Sequence, residues 1–562
     1  MDKNELINNK IITERMLGYT YPFPSLPITS REFPIALTND GVEIGDYVAV
    51  IDSDESVTIG KVSELISTSD SDKWNVVKKY VENPKFTDPV KKLINKIAIV
   101  TIINRIFNKE GALMSVNAMQ PVHEAGYEGI KKSLELKNDG IIAGLLAKPS
   151  RTYSDLVVKL TPSYLLGPEA AHLNVCGQSG FGKTSFVIML LKSLLTWSNA
   201  SGKKIGVVVF NVKKDDFLYL DIDNDELDDE DRKIYEKMNI EAAHLDNVVF
   251  YATRSGTGSD DLATLRSEPL KTKDFFWSWN DVKGHIEHAV SANEAWDDIQ
   301  EHALQVVKNQ RTVTTFREVF TFAEECRERE AFNIRAASWG KFLRIIRGIY
   351  ASNSGLLASG SKPIDYVQEF DENDVIVIDV NERFFKDYTQ RLIIGKIVDD
   401  VRKLMETDEL GLDHLVIVMD ELGKYAKKVS STALRQIRSV IQDIVERGRS
   451  IKISLFGIEQ YASMIADEII GNTATNVISK TKTKELSTSS YSTLKESTKS
   501  ALTRLQKGLV MLQHDPIYSE IFIRVPRAPC AQKLNSGKRK KIKKDTREIH
   551  DERVVLEDDE YL

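Results

Sequence analysis

Gly177-Gln178-Ser179-Gly180-Phe181-Gly182-Lys183-Thr184 satisfies the pattern G-x-x-x-x-G-K-[ST] at every position, and its context is as informative as the match. An apolar run, Leu173 to Cys176, precedes it as a buried strand would. A long apolar helix is expected to follow, from Thr184 through Phe186, Ile188, Leu191 and Leu194. Glycines let the loop backbone wrap closely around phosphates, so that successive N–H groups and the helix N-terminus point at the anion. The stretch Gly177 to Thr184, with Ser185, is therefore the candidate nucleotide cradle. Lys183 is expected to reach the β- and γ-phosphates and the Thr184 hydroxyl to ligate Mg²⁺, which makes ATP and Mg²⁺ the expected cofactors.

Composition is that of a large soluble enzyme. At 562 residues the chain is long enough for more than one domain, and 42% hydrophobic with 28% charged residues is ordinary for globular proteins. A net charge of −7 argues against a protein that coats nucleic acid over its whole surface, but leaves room for a basic channel inside an acidic body. Three cysteines (Cys176, Cys326, Cys530) fit neither a metal spacing nor a disulfide framework. The N-terminus lacks the apolar core of a signal peptide, and no stretch approaches the ~20 apolar residues that span a bilayer. The expectation is a cytoplasmic protein with no membrane association.

Upstream of the phosphate loop the texture differs. Val42 to Ile51 and Val57 to Val62 are short β-branched runs separated by Asp52 to Glu55, as in a hairpin. Ile97 to Ile106 and Gly140 to Leu146 suggest further strands, and Trp74 to Lys96 has helical spacing. Residues 1–160 thus read as a small β-barrel or sandwich carrying an inserted helical piece. Downstream, Ile205–Phe210, Asp374–Ile378, His414–Met419 and Ile451–Ile458 are apolar runs suited to a parallel sheet buried on both faces. The expected plan is an α/β P-loop core at 161–274 and 351–530, a helical insertion at 275–350 and a charged tail at 531–562. Asp221-Ile222-Asp223-Asn224-Asp225 starts like a calcium loop, but Glu226 replaces the required glycine and Arg232 the bidentate acid. Asp221 to Asp231 is read as a solvated linker. The tail runs from Lys538-Arg539-Lys540-Lys541-Ile542-Lys543-Lys544 to Glu557-Asp558-Asp559-Glu560, the composition of a disordered arm.

Leu415 to Met419 runs straight into Asp420-Glu421, an apolar strand ending in two acids. Asp420 is the candidate Mg²⁺ ligand and Glu421 the candidate general base for the attacking water. Leu434, Ile437, Ile441 and Ile444 mark an amphipathic helix that ends Glu446-Arg447-Gly448-Arg449. The strand after it ends in Glu459-Gln460, so Gln460 is a candidate to sense the γ-phosphate or orient water. Lys213 and Lys214 follow a sheet strand; solvated lysines are the ordinary reading there, a pore contact the functional one.

This order of motifs resembles the HerA/FtsK-type P-loop ATPases, and HerA in particular. Those proteins combine an N-terminal barrel, a phosphate loop, a strand ending in Asp-Glu, a helix ending in Gly-Arg and a strand ending in Gln. His172 ahead of the loop strand, Asp374 to Asp379, and the pair Leu505–Met511 with Ile521–Pro526 are similar too. Three features depart from the pattern: Asn211-Val212-Lys213-Lys214-Asp215-Asp216 where Asp-x-x-Gly-Glu is usual, Glu459-Gln460 where Thr-Gln is common, and the large insertion. The resemblance implies a RecA-like core, a homohexamer, and ATP-driven translocation of double-stranded DNA through a central pore. It also implies an arginine delivered from the neighbouring subunit, with Arg447 and Arg449 as candidates. A protein effector, a nuclease or in antiviral systems an NAD-consuming enzyme, would dock on the barrel. An ATP-gated scaffold that activates a partner without moving DNA requires the same core and is the alternative; a conjugation-type motor at the membrane is a further one, against which the lack of a transmembrane segment weighs.

Overall fold

The β-branched runs become strands in the computed structural model, which describes residues 3–38, 41–52, 54–69, 94–108, 110–150, 152–256, 259–267, 271–291, 293, 295–428 and 432–533. The chain forms two compact units, one of Met1–Thr161 with Val477–Val525, the other of Pro162–Asn476 with the residues from Pro526 onward.

In the first unit, β1 (Ile12–Thr20), β2 (Glu32–Leu37), β3 (Tyr47–Ile51), β4 (Val57–Ser69), β5 (Ile94–Ile106) and β6 (Pro121–Ala125) close into a barrel of order β1-β2-β5-β4-β3-β6. Neighbours are antiparallel, and closure removes the exposed strand edges that an open sheet would present. Alternate residues face inward: Phe33 with Ile35, Val48 with Val50, and Ala98 with Val100 fill the interior. The same unit holds β7 (Ile141–Ala147) and β8 (Tyr153–Leu160), joined in antiparallel order to the hairpin of β17 (Leu509–His514) and β18 (Ile521–Arg524). Within this unit β18 of the closing hairpin pairs antiparallel with β7. The helical piece expected at 74–96 falls outside the described residues except for its last three positions, which open β5.

The second unit is the α/β domain. Its strands are β9 (Ala171–Cys176), β10 (Ile205–Asn211), β11 (Val248–Ala252), β12 (Lys273–Asp274), β13 (Val375–Asp379), β14 (His414–Asp420), β15 (Ile453–Ile458) and β16 (Thr473–Ile478). They lie in the order β12-β11-β13-β10-β14-β15-β9-β16, and every pairing from β12 to β9 is parallel. Strands β10, β13, β14 and β15 are buried throughout, as a sheet covered on both faces requires. The helix Lys183–Ser201 buries nearly all of Phe186 to Leu194, so its low amphipathicity follows from being enclosed. The insertion is helical, with Asp298–Lys308, Phe316–Glu328 and Ala336–Ser352 as its main elements, and it shares one core with the sheet through Trp277, Trp279, Trp339 and Phe342. The fold is thus a P-loop α/β domain with an N-terminal barrel and a helical insertion.

The acidic stretch is a correction. Asp228 caps the helix Asp229–Met238 by accepting from Asp231 N, and the Asp231 side chain returns the bond. Acids in a first helical turn complement the helix dipole, so the carboxylates from Asp228 to Asp231 mark a helix start, while residues 221–227 are non-helical as expected. Asp221 is tied to Arg266 and Asp231 to Arg527. The basic and acidic runs of the tail lie outside the described residues.

Two histidines in this unit are held neutral. Burial pushes His172 down to about 4, against a hydrogen bond with Val445 O, and pushes His414 down to about 3, with cationic neighbours adding to the effect. The unfolded chain takes up these protons near pH 6.5, whereas the folded chain resists until its own lower values are reached. Stability is therefore complete above pH 6.5 and is lost as pH falls toward 4, by about 3 kcal/mol for His172 alone. Denaturant midpoints measured across that range should fall steeply; a midpoint unchanged between pH 6.5 and 4.5 would show that these rings are not neutral in the fold.

Candidate nucleotide site

The loop from Gly177 to Gly182 joins the carboxyl end of β9 to the helix that starts at Lys183. Gly177, Gly180 and Gly182 have φ of 128°, 82° and 90°. A Cβ at Gly180 or Gly182 would meet nothing within 4 Å, so backbone conformation, not crowding, demands glycine there. Ser179 and Gly180 face solvent, while Gln178, Phe181, Gly182, Thr184 and Ser185 are half-buried. Lys183 is buried and folds back on its own loop, donating to Gly177 O at 2.7 Å and Gln178 O at 3.1 Å. Burial draws its ammonium below the usual lysine value, against Cys176 and the carboxylates of Glu421, Asp420 and Glu459.

Sheet order brings the remaining candidates together. β15 lies between β9 and β14, so the Gln460 end of one strand falls between the phosphate loop and the acids at the end of the other. Gln460 Nε2 approaches Glu421 Oε1 at 3.5 Å, a long contact. Glu421 is left-handed, with φ of 54° and ψ of 43°, and its N–H donates to Asp420 Oδ1 at 3.0 Å. A non-glycine residue in that region carries on the order of 1 kcal/mol of strain or more, a cost usually met where a side chain must be aimed.

Burial, with Glu421 and Asp216 nearby, pushes Asp420 up to about 7; Lys183 opposes this only partly. The site thus gathers hard oxygen donors and excess negative charge, the conditions that suit a divalent cation held by one or two carboxylates and by phosphates. Thr184 and Asp420 fit Mg²⁺. Among the described residues no cluster of three or more His, Cys, Asp or Glu side chains could hold a metal ion.

Arg447 and Arg449 lie elsewhere. They end the helix Thr432–Arg447 just before β15 begins, at the edge of the sheet opposite the phosphate loop, about 20 Å away by strand length. Arg447 bridges Glu406 at 3.0 Å and Asp443 at 3.3 Å, and Arg449 donates to Glu169 O at 3.1 Å. Gly448 between them is required by close approach, since a Cβ would sit 2.3 Å from Ile453 O and 2.4 Å from Ile444 O. His172 ties the same elements, accepting from Leu455 N at 3.0 Å and bonding Val445 O at 3.0 Å.

Three groups take places at the site that the sequence reading did not give them. Asp216 is close enough to perturb Asp420, and burial raises its own carboxyl. Lys213 Nζ lies 3.2 Å from Glu421 Oε1. Gln532 accepts from Ser185 Oγ at 3.0 Å, across 347 positions of sequence. It is carried there by a strap that pairs Arg527 with Asp231, Pro529 O with Asn224 N, and Ala531 N with Ile222 O. No local pattern signals that return.

No family model matches the sequence, and no curated protein matches it. Among solved structures, VirB4 of Thermoanaerobacter pseudethanolicus is similar at 16% identity and TM-score 0.46, over 70% of this chain and 98% of that one. The unbound bacterial conjugative coupling protein TrwBdeltaN70 is similar at 12% identity and TM-score 0.41, over 73% and 93%. The genome packaging NTPase B204 from Sulfolobus turreted icosahedral virus 2, in complex with AMPPCP, follows at 9% identity and TM-score 0.26, over 63% and 97%. Among the described residues no helix is long and apolar enough to cross a membrane.

Proposed function

We infer that this chain is a ring-forming, cytoplasmic ATPase of the HerA type that drives double-stranded DNA through a central pore and works with a protein effector. One observation carries the reading: Lys183, Asp420-Glu421 and Gln460 converge on the carboxyl ends of β9, β14 and β15. In the proposed reaction Lys183 leaves its loop carbonyls to neutralise the β- and γ-phosphates. Thr184 and Asp420 would hold Mg²⁺, which would offset phosphate charge. Glu421 takes the proton of the attacking water, and Gln460 orients that water. The position of Arg447 and Arg449 favours delivery to a neighbour's site, because neither reaches its own phosphate loop. Docking of an effector on the barrel is supported by a cleft of about 800 Å³ in the first unit, lined by Arg31, Arg105, Leu113, Lys495 and Tyr518. Leu113, 88% exposed at its rim, is an apolar side chain in need of cover.

The test measures ATPase rate against duplexes of differing sequence at rising salt, together with displacement of a roadblock from the duplex. Phosphate contacts predict stimulation that is blind to base sequence and falls as salt rises. Absence of stimulation by every duplex, with activation of a partner enzyme retained, would replace the translocase by the scaffold.

A further inference from the structure

The proposed general base is not free in this structure. Lys213 Nζ stands 3.2 Å from Glu421 Oε1, the same oxygen that Gln460 approaches at 3.5 Å. Lys213 is held there by design of the turn that follows β10. Asn211 Nδ2 donates to Lys214 O at 3.0 Å and to Asp379 Oδ1 at 3.0 Å, and Asn381 Nδ2 donates to Lys214 O at 2.6 Å. Glu382 N donates to Val212 O at 3.0 Å. Four bonds from two strand ends thus fix the backbone that carries the lysine.

A carboxylate held by an ammonium at one oxygen has its side chain pinned, so it is not free to turn toward an attacking water. Burial works against the Lys213 ammonium, but Glu421, Glu382 and Asp420 outweigh it and hold its pKa above the usual lysine value. Lys183 is likewise tied to protein carbonyls, so both groups that must act on nucleotide are occupied at once. The Lys213 side chain is 39% exposed, within reach of a competing anion from solvent.

We propose that Lys213 is a positioning residue that restrains Glu421 in a resting state, and that a phosphate oxyanion drawing Lys213 away releases the base for hydrolysis. This rests on the ATPase reading above. The oxyanion is the backbone of a nucleic-acid cargo, because a γ-phosphate present in every turnover would leave no restraint to relieve at saturating ATP. A run of backbone phosphates offers the ammonium several charges against one half-exposed carboxylate.

The experiment compares full-length wild type, Lys213→Ala, Lys213→Gln, Lys213→Arg and Glu421→Gln, with steady-state ATPase measured with and without duplex DNA. Release from a half-exposed ion pair predicts a basal kcat about three- to tenfold higher in Lys213→Ala and Lys213→Gln, with KM for ATP unchanged. Lys213→Arg should keep the wild-type rate, and in a Glu421→Gln background Lys213→Ala should change nothing. DNA should stimulate wild type but not Lys213→Ala; equal stimulation of both would overturn the proposal. A lowered or unchanged basal kcat in both Ala and Gln variants, with wild-type thermal stability, overturns the restraint. Absence of hydrolysis in every variant, with nucleotide still bound, overturns the ATPase reading instead.

Discussion

Glu421→Gln should bind Mg²⁺-ATP as tightly as the parent and hydrolyse it at least about a hundredfold more slowly. The substitution keeps shape and hydrogen bonding but removes the only function assigned to the carboxylate, accepting a proton from water. Glu421 sits on a left-handed residue at the end of β14, where its side chain projects beyond the strand toward the phosphate loop's end of the sheet. The backbone strain belongs to the position and not to the charge, so the amide should occupy the same place. Equilibrium binding of a fluorescent ATP analogue and single-turnover hydrolysis separate the two effects. Turnover by Glu421→Gln at the parental rate would remove the assignment and move attention to Asp216, a carboxylate in the same cluster.

Lys183→Ala should fail one step earlier, at binding. The ammonium gives charge-assisted bonds to phosphate in the bound state, and losing about 2–3 kcal/mol weakens nucleotide affinity about 30- to 150-fold. In the structure that ammonium is satisfied by Gly177 O and Gln178 O, so its removal leaves two carbonyls of the loop to solvent and should not unfold the domain. Calorimetric titration reads the affinity and a thermal melt checks the fold; undiminished affinity would mean the loop binds through backbone N–H groups alone. The same variant tests the arginine. Rings mixed from Lys183→Ala and Arg449→Ala subunits, each inactive alone, should recover part of the ATPase rate, because some interfaces pair an intact lysine with an intact arginine. A guanidinium at the γ-phosphate is worth about 10³–10⁵ in rate, large enough for the recovery to be unmistakable. Proven mixed rings without recovery would make Arg449 structural, in keeping with its bond to Glu169 O.

Much of this was legible in the chain because its signals are local. A phosphate loop needs glycine where φ is positive and a lysine at the helix start, and those demands fall within eight consecutive residues. Strands buried on both faces need unbroken β-branched runs, and β10, β13, β14 and β15 were visible for that reason. Acids at Asp228 to Asp231 misled because the same composition serves a linker or a helix start, and only the reciprocal cap distinguishes them. Gly448 and His172 stood out as motif residues, yet the bonds they make are packing between a helix and two strands.

The sequence by itself determined that the chain has a phosphate-binding loop, an acid-tipped strand and a buried parallel sheet, since each follows from residue type and spacing along one short segment. Tertiary structure alone decided that β15 lies between β9 and β14, which sets Gln460 beside Glu421. It alone placed Lys213 on the oxygen of the proposed base and returned Gln532 to Ser185. Those contacts span from 39 to 347 positions, and side chains that far apart meet only through the order in which strands and straps are laid down. Spacing in sequence carries no record of that order, because strand neighbours are selected by burial of whole faces and not by any pair of polar groups at their ends.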